Sequence, residues 1–437
     1  MSRARRLPSL SRLLAVLVAA LVATALMPAS PASAKKVRVD PRLFGVHDSS
    51  LGSLGQGAGS LRLWDAGTTW RDIETSPGVY DFSRLDQIVN AAQARGVEVT
   101  LVLGMTPGFH ASSPTAMPGD LGAWTRYISA VVSRYKSWNG KRGIGAYQVW
   151  NEANVKNFWT GSPMQMATLT KAAWNAVKGV DSGALVVGPA FAARIAEQTR
   201  GIGFFYNTRI SGVPVWKYMN AISLNLYPLD KYGSKVGTPE KSMSLLAAAR
   251  KQMRLRGVPA NKPIWNTEIN YGMRSGSNGG TKAVPIAAAT QASYVIRTYL
   301  LNASQQVQRV HWYAWDMGYL PGGGTLGNTL LTNPANGSTT VAGKAFGLVR
   351  GWMQGGTLMG PSRSALPCTK DRAGTYTCVI KYAKGVKRVY WNPTKRVRVT
   401  TAKSATFSVN VYGKRKAVRG GSKKAVNFKP LMVRSKR

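Results

Sequence analysis

The sequence predicts an α/β fold, a (β/α)₈ TIM barrel followed by a small C-terminal antiparallel β-domain. Short apolar runs alternate with longer amphipathic stretches between Leu43 and Arg350, and eight such runs can be counted. After Gly355 the helical stretches stop, and short strand-like runs with turns remain. An open doubly wound sheet is the alternative, but it needs a glycine-rich phosphate turn that opens a helix. The stretch Gly52–Gly59 precedes the second run and opens no clear helix.

The eight barrel strands are predicted from runs that are apolar or β-branched and end in polar residues. They are Leu43–His47, Ser60–Trp64, Val97–Leu103, Gly145–Trp150, Ala184–Gly188, Ala221–Leu226, Pro263–Glu268 and Val310–Trp315. The clearest helix is Asp81–Arg95, whose apolar residues recur at helical spacing and which ends at Gly96. The other predicted helices are Leu121–Trp138, Met164–Lys178, Ser242–Arg256 and Val284–Asn302.

The N-terminus has the order of features found in a secretory signal peptide. Four arginines accompany an apolar run from Leu13 to Met27, and a small-residue cleavage site follows at Pro31–Ala34. A membrane anchor is the alternative, but this run is shorter than the roughly 20 residues that a spanning helix needs. We therefore expect a secreted protein, extracellular or associated with the cell wall, with no membrane span after cleavage. The expected parts are a signal peptide (1–34), a catalytic barrel (35–354) and a basic, β-sandwich-like domain (355–437).

The C-terminal domain is predicted to contain five short strands and one disulfide. The strands are Thr375–Tyr382, Val386–Trp391, Arg396–Thr401, Thr406–Tyr412 and Ala425–Val433. The only two cysteines are Cys368 and Cys378, which flank a turn sequence. In a secreted protein such a pair is expected to form a disulfide across a hairpin, with two reduced thiols as the alternative.

The charge of the chain is strongly positive and unevenly distributed. The whole sequence has 59 Lys and Arg against 17 Asp and Glu, and from Gly355 onward 21 basic residues face one acid, Asp371. Such a charge attracts anionic cell-wall polymers, acidic glycans or anionic lipid surfaces, unless it serves only solubility. Nucleic acid is an unfavoured partner because no recognition motif is present. Two cysteines and three histidines cannot build a zinc site, so we expect neither a catalytic metal nor a cofactor.

Two of the six glutamates end predicted barrel strands. Glu152 follows the fourth strand and Glu268 ends the seventh. Residues at the carboxyl ends of barrel strands line the active-site mouth, where a carboxylate is costly unless it has a function or a partner. Two carboxylates facing each other across this mouth can flank one glycosidic bond. One then protonates the leaving oxygen while the other attacks the anomeric carbon.

The sequence around these glutamates resembles a known group of enzymes. Val149–Asn154 reads Val-Trp-Asn-Glu-Ala-Asn and is similar to the Asn-Glu signature of clan A glycoside hydrolases. Within the clan, the chain most resembles family 39-like enzymes, including bacterial exopolysaccharide endoglycosidases. The segments Arg62–Asp65, Gly78–Phe82 and Thr106-Pro107 add to a resemblance that extends from about Leu43 to Trp315.

The resemblance implies a role for each matched residue. Clan A enzymes carry the acid/base on the fourth strand and the nucleophile on the seventh, which here are Glu152 and Glu268. Asn151 would bind the sugar 2-hydroxyl, Arg62 would lie beneath the nucleophile and keep it ionised, and Tyr227 would donate a hydrogen bond to Glu268. Burial near Trp150, together with the charge of the nucleophile, would keep the acid/base protonated.

Three further residues are expected at the substrate. Trp315 would stack on a sugar ring, and His47, at the end of the first strand, could contact substrate or be a structural histidine. Asn225 is a departure, because relatives often carry a histidine two residues before the tyrosine that matches Tyr227. The residues that bind the sugar in subsite −1 therefore differ from those of these relatives.

The sequence thus predicts a retaining O-glycoside hydrolase acting on an extracellular polysaccharide or oligosaccharide by double displacement. A transglycosylase and a non-catalytic glycan- or wall-binding protein are the alternatives. A third alternative is that the basic tail binds extracellular nucleic acid. Sugar, linkage and oligomeric state are not readable from the sequence. Exo or endo action is expected to depend on the loops Thr106–Gly119 and Gly318–Gly327.

Overall fold

A computed structural model describes most of the chain that follows the predicted signal peptide. The described residues are 36–48, 50, 57–228, 237–275, 281–316, 330–333, 335–360 and 366–436. The predicted signal peptide (1–34) and the predicted cleft loop Gly318–Gly327 lie outside them.

Eight parallel strands close into a barrel, as predicted. In chain order, barrel strands 1 to 8 are Phe44–Asp48, Ser60–Leu63, Glu98–Leu103, Ala146–Val149, Leu185–Ala192, Ala221–Asn225, Ile264–Ile269 and Val307–Asp316. Each strand pairs with its neighbour in sequence, and strand 8 pairs with strand 1. The largest difference from prediction is in strand 5, which continues four residues past Gly188 and ends at Ala192.

Helices on the outside of the barrel connect the strands. The described helices, labelled α1 to α8 in chain order, are Trp70–Ile73, Ser83–Ala94, Leu121–Tyr135, Pro163–Val180, Ala196–Tyr206, Pro239–Arg254, Ala288–Ser304 and Val341–Met353. Several of these helices begin at a residue whose side-chain oxygen accepts a hydrogen bond from a backbone N–H of the first turn. Ser162 caps α4 in a capping box with Gln165, and Thr238 and Thr340 cap α6 and α8.

Five of these helices were predicted, whereas α5, α8 and the four-residue α1 were not. Helices α5 and α8 carry two and three glycines, which weaken a helical pattern in the sequence. The fold explains one of these glycines by close packing, because a Cβ at Gly343 would lie 2.1 Å from the carbonyl oxygen of Leu331. Only the folded state supplies this reason for glycine.

An aromatic cluster supports the rim of the barrel near strand 4. The Trp70 ring stacks on that of Tyr127 at 5.3 Å, and the Trp124 and Trp150 rings lie 6.3 Å apart. All four side chains are fully buried, and burial of each contributes on the order of 2 kcal/mol. Trp150 directly precedes Asn151 and Glu152, so the cluster fixes the segment that carries them.

The C-terminal residues form a mostly antiparallel β-domain, as predicted. The order in its main sheet is Lys36–Arg38, Thr357–Met359, Tyr376–Tyr382, Gly385–Trp391, Leu431–Ser435, Ala405–Val409 and Arg415–Ala417. Cys368–Lys370 also pairs with Tyr376–Tyr382, and Val397–Thr400 pairs with Lys423–Val426 as a separate ribbon. The predicted disulfide between Cys368 and Cys378 is confirmed, since the two residues are directly paired across antiparallel strands.

The boundary between the two parts differs from the predicted one at the N-terminus. Lys36–Arg38 was assigned to the barrel, but it pairs with Thr357–Met359 and so provides the edge strand of the second sheet. The described residues therefore run from an edge strand of the β-domain through the barrel and back to the β-domain. None of the described helices is long and apolar enough to cross a lipid bilayer.

Candidate active site

Glu268 lies in strand 7 with both carboxylate oxygens hydrogen-bonded. Arg62 Nη1 donates to Oε1 at 2.7 Å, and the Tyr227 hydroxyl donates to Oε2 at 3.0 Å. All three side chains are buried. The geometry predicted from the family resemblance, with Arg62 and Tyr227 on the nucleophile, is therefore present. Both contacts orient the carboxylate and favour its ionised form.

Arg62 connects strand 7 to strand 4. Its Nε donates to Gln148 Oε1 at 2.6 Å, and its Nη2 donates to Asn151 Oδ1 at 2.9 Å. The guanidinium side chain has no exposed surface. The guanidinium of Arg62 is rigid and planar, so its hydrogen bonds to three acceptors fix the position of Glu268 relative to the Asn151-Glu152 segment. The buried guanidinium of Arg62 therefore contacts Glu268 and strand 4 rather than solvent.

The pKa of Glu268 is raised to about 7, chiefly because the carboxyl group is buried. The charge of Arg62 lowers the pKa, whereas the nearby carboxylates of Glu152 and Asp65 raise it. The sequence led us to expect that Arg62 would keep Glu268 ionised. Burial outweighs that effect, so the pKa of Glu268 lies above its ordinary value despite the neighbouring guanidinium.

Glu152 follows strand 4 in an unusual backbone conformation. Its φ is +39°, and that of Trp150 is +64°, a region that residues with a side chain rarely adopt. Such strain costs on the order of 1–3 kcal/mol and persists where the surrounding structure enforces it. Here the Trp150 indole donates to the carbonyl of Phe158 at 2.7 Å, and its backbone N–H donates to that of Leu103 at 2.7 Å. The turn aims the Glu152 side chain toward Asn225.

Asn225, at the end of strand 6, holds Glu152 from the side. Its Nδ2 donates to Glu152 Oε1 at 3.1 Å and lies 3.4 Å from Asn151 Oδ1. Its Oδ1 accepts a hydrogen bond from Thr267 at 2.8 Å. Asn225 is fully buried and connects Glu152 to Thr267, the residue that precedes Glu268. Where related enzymes often carry a histidine, this chain uses an amide.

His47 is buried beside the nucleophile. Its Nε2 lies 2.9 Å from the carbonyl oxygen of Thr267 and 3.3 Å from Arg62 Nη1. Burial lowers the pKa of His47 well below its ordinary value, and the charge of Arg62 lowers it further. The ring is therefore neutral, with an edge-on contact to Tyr313 at 4.8 Å.

Trp315, near the end of strand 8, packs its ring into the core. It is 4% exposed and belongs to the main core, with its ring 6.0 Å from that of Phe346 in α8. Tyr313 lies two residues earlier, in a part of strand 8 whose pairing with strand 1 shifts register between Trp312 and Asp316. The Tyr313 hydroxyl donates a hydrogen bond to Asp65 and its ring contacts His47. Tyr313 is therefore an aromatic side chain at the site that the sequence did not single out, and stacking of a sugar ring on Trp315 stays a prediction.

The structure adds two charged residues that the sequence did not single out as site residues. Asp65 comes three residues after Arg62, and burial raises the pKa of its carboxyl group. Arg194 lies two residues beyond strand 5 and pairs with Glu152. Asp65 stands in a segment that carried the family resemblance, which is a usable signal. Arg194 had none, because strand 5 was expected to end at Gly188. Within the described residues, no group of three or more His, Cys, Asp or Glu is arranged to hold a metal ion.

A closed barrel with paired glutamates at the ends of strands 4 and 7 defines the class of clan A glycoside hydrolases. Comparison with known proteins identifies the family. Residues 60–314 match the model of glycosyl hydrolases family 39, and the chain belongs to this family.

Two curated relatives share part of the sequence. A beta-xylosidase of Geobacillus stearothermophilus is 31% identical over 131 residues, which is 27% of this chain and 26% of the relative. A beta-xylosidase of Caldicellulosiruptor saccharolyticus is 28% identical over 210 residues, or 44% and 41% of the two chains. The matched regions thus span less than half the length of either relative.

The fold is shared with solved structures. A monomeric beta-xylosidase from Caulobacter crescentus CB15 superposes with a TM-score of 0.64 at 15% identity, covering 92% of this chain and 98% of that one. This likeness supports the barrel and β-domain architecture.

Proposed function

We propose that this protein is a retaining glycoside hydrolase that cleaves an O-glycosidic bond in an extracellular polysaccharide or oligosaccharide. The observation that carries the proposal is the buried hydrogen-bonded chain from Glu268 through Arg62 to Asn151, which fixes the two glutamates relative to each other. Burying charged groups is costly unless the site uses them. This series of buried hydrogen bonds therefore favours a catalytic site over a site that only binds a glycan.

The proposed reaction has two steps. Ionised Glu268 attacks the anomeric carbon, while Glu152 donates a proton to the departing glycosidic oxygen, leaving a glycosyl ester on Glu268. Water then attacks the ester, and Glu152 takes a proton from that water and restores Glu268. Asn151 is placed to contact the sugar near its 2-hydroxyl, where hydrogen bonds strengthen in the transition state. A sugar hydroxyl in place of this water would give transglycosylation.

β-Xylosides are the first substrates to test, because both curated relatives are named beta-xylosidases. Wild type, Glu152→Ala and Glu268→Ala should be assayed on 2,4-dinitrophenyl and 4-nitrophenyl β-xylosides and on a panel of bacterial and plant polysaccharides. Glu197→Ala, which removes an exposed glutamate of α5, is the matched control.

We expect Glu268→Ala to be inactive and Glu197→Ala to match wild type. Glu152→Ala should lose about 10²–10⁴-fold on substrates with poor leaving groups, with less loss on the dinitrophenyl glycoside. Azide should restore its activity and give a glycosyl azide of retained configuration. A 2-fluoro glycoside should label Glu268 in wild type. Unchanged activity in either glutamate variant would refute the assignment. Absence of both turnover and labelling across the panel would favour a glycan-binding protein.

We further propose that the protein is secreted and that its β-domain binds an acidic polymer. Secretion rests on the N-terminal pattern and is tested by N-terminal sequencing of the exported protein, with cleavage expected near Ala34. The binding proposal rests on a cavity of about 270 Å³ lined by Arg396, Tyr412 and Lys429, among others. The Tyr412 side chain is 56% exposed, and an exposed ring beside two cations suits a charged sugar.

A further inference from the structure

Arg194 forms an ion pair with the acid/base carboxylate in the empty site. Its Nη1 donates to Glu152 Oε2 at 3.0 Å, and its Nη2 makes a shorter contact with Oε1. The side chains are 13% and 2% exposed. This is the two-point geometry in which a guanidinium binds a carboxylate most strongly.

The ion pair obstructs the first step of the proposed reaction. Arg194 contacts both carboxylate oxygens of Glu152, whereas proton transfer to the leaving oxygen needs one of these oxygens to face the substrate. A productive complex therefore needs Arg194 to take another partner. Asn225 donates to Glu152 Oε1 alone, leaves Oε2 available and does not impose this conflict.

Arg194 has the geometry to accept such a partner. Its guanidinium lies over the Tyr227 ring at 5.1 Å, a contact that supports the cation from one side. Its Nε is buried and has no hydrogen-bond partner. Arg62, by contrast, donates hydrogen bonds to Gln148, Asn151 and Glu268, and its side chain has no exposed surface. Of these two arginines, Arg194 is the one that a ligand at the mouth can reach.

We propose that Arg194 recognises a carboxylate of the substrate, so that the glycan carries an acidic sugar next to the bond that is cleaved. On binding, Arg194 exchanges the Glu152 carboxylate for the sugar carboxylate, and Glu152 takes up a proton from solvent. The exchange replaces one two-point guanidinium–carboxylate pair with another. A neutral sugar offers only hydroxyl groups, which bind a guanidinium more weakly and would leave Arg194 paired with Glu152.

The charge of the whole molecule agrees with this substrate class. A net charge of +42 draws acidic glycans toward the protein before any specific contact forms. Long-range attraction does not depend on one side chain, whereas recognition by Arg194 does. A variant that removes one positive charge outside the site therefore serves as the control for a variant of Arg194.

The test measures binding separately from catalysis, because the inference rests on the proposed role of Glu152. The full chain carrying Glu268→Gln is titrated calorimetrically with oligoglucuronates, oligogalacturonates and glucuronate-substituted xylo-oligosaccharides. Each probe is paired with its carboxyl-reduced counterpart. The same titrations follow in that background with Arg194→Gln, Arg194→Lys and Arg209→Gln. Arg209 is exposed on the hairpin after α5, so Arg209→Gln removes an equal charge outside the site.

We expect at least one acidic probe to bind about tenfold or more tightly than its reduced counterpart. Arg194→Gln should reduce this preference to about threefold or less, Arg194→Lys should retain only part of it, and Arg209→Gln should retain all of it. Equal affinity within every pair, no binding of any acidic probe, or the same loss in Arg194→Gln and Arg209→Gln would overturn the inference. Thermal melting of each variant verifies its folding, and Arg194→Lys keeps the test valid if Arg194→Gln is unstable.

A catalytic comparison distinguishes this inference from the proposed function. Wild type with an intact Glu268 is assayed on the preferred acidic probe and on its reduced counterpart, with 2-fluoro labelling in parallel. A binding preference without turnover or labelling refutes the hydrolase and keeps the recognition role of Arg194. Turnover of the reduced counterpart as fast as the acidic probe keeps the hydrolase and refutes the role of Arg194.

Discussion

At the scale of single residues, the ionisation of Glu268 links the structure to a measurable pH dependence. Only the ionised form is a nucleophile, and the pKa of Glu268 is raised to about 7 by burial. Activity limited by this group rises with pH and levels off above the pKa, so kcat/KM should fall about tenfold per pH unit below pH 7.

Tyr227→Phe should move this acid limb upward by about one pH unit. The Tyr227 hydroxyl donates to Glu268 Oε2 at 3.0 Å and stabilises the ionised form, so its loss makes ionisation harder. The measurement is kcat/KM against pH on an activated aryl glycoside that the wild type cleaves. Tyr206→Phe is the control, because this buried tyrosine of α5 has its hydroxyl on Met219 Sδ. An acid limb that stays in place would show that Tyr227 does not act on the nucleophile.

A site residue could be predicted from the sequence where a chemically reactive side chain also stands at the end of a predicted strand. Glu152 and Glu268 met that condition, whereas the contacts of Arg62 and Tyr227 with Glu268 followed from the family resemblance. Tyr313 could not be predicted in this way, because the pairing of strand 8 with strand 1 shifts register between Trp312 and Asp316 and only the folded barrel shows which ring reaches the site.

At the scale of elements, the β-domain is joined to the barrel by a hydrogen bond from Trp391 to a part-buried ion pair of the barrel. Glu240, in the first turn of α6, pairs with Arg297 of α7, and its Oε1 also accepts the Trp391 indole N–H at 2.9 Å. The Trp391 ring lies parallel to that of Tyr376, with centroids 4.9 Å apart. Barrel and β-domain are therefore expected to unfold together.

Trp391→Phe tests this connection. The change keeps an aromatic ring for stacking but removes the donor to Glu240, and we expect it to lower the free energy of unfolding by about 1–3 kcal/mol. The measurement is denaturant unfolding followed by far-UV circular dichroism. Tyr376→Phe, which retains the stacked ring, should change it by no more than about 0.5 kcal/mol. A Trp391→Phe protein as stable as Tyr376→Phe would show that the indole hydrogen bond contributes nothing.

The lengths of elements were less predictable than their order. Strand 5 was expected to end at Gly188, yet it continues through Pro189 to Ala192. The barrel supplies the reason, since residues Ala190 to Ala192 pair with strand 6. The extra residues bring Arg194 to the mouth, so an error in one strand end concealed one residue of the site.

At the scale of the whole molecule, the positive charge is expected to govern where the protein is retained. The β-domain should bind immobilised polygalacturonate more tightly than its carboxyl-reduced form, and elution should require more NaCl. The expectation follows because binding to polyanions weakens with salt.

Variants separate a specific groove from net charge. Arg396→Gln/Lys429→Gln, tested with and without Tyr412→Ala, should elute at clearly lower NaCl than wild type. Lys381→Gln/Lys384→Gln removes the same charge from exposed positions outside the groove and should elute close to wild type. Equal shifts in both double variants would indicate attraction by net charge alone. Equal retention of wild type on DNA and on polygalacturonate would show that the groove has no preference for sugars.

The sequence by itself determined the class of this protein. Alternating patterns determined a barrel, strand order placed two glutamates at its mouth, and the Asn-Glu motif indicated the clan, because each of these signals is local in the chain. Tertiary structure alone decided which groups face those glutamates. Arg194 and Asp65 follow strands 5 and 2, Tyr313 lies in strand 8, and the three meet only when the barrel closes. The balance between burial and charge that sets the pKa of Glu268 also exists only in that closed arrangement.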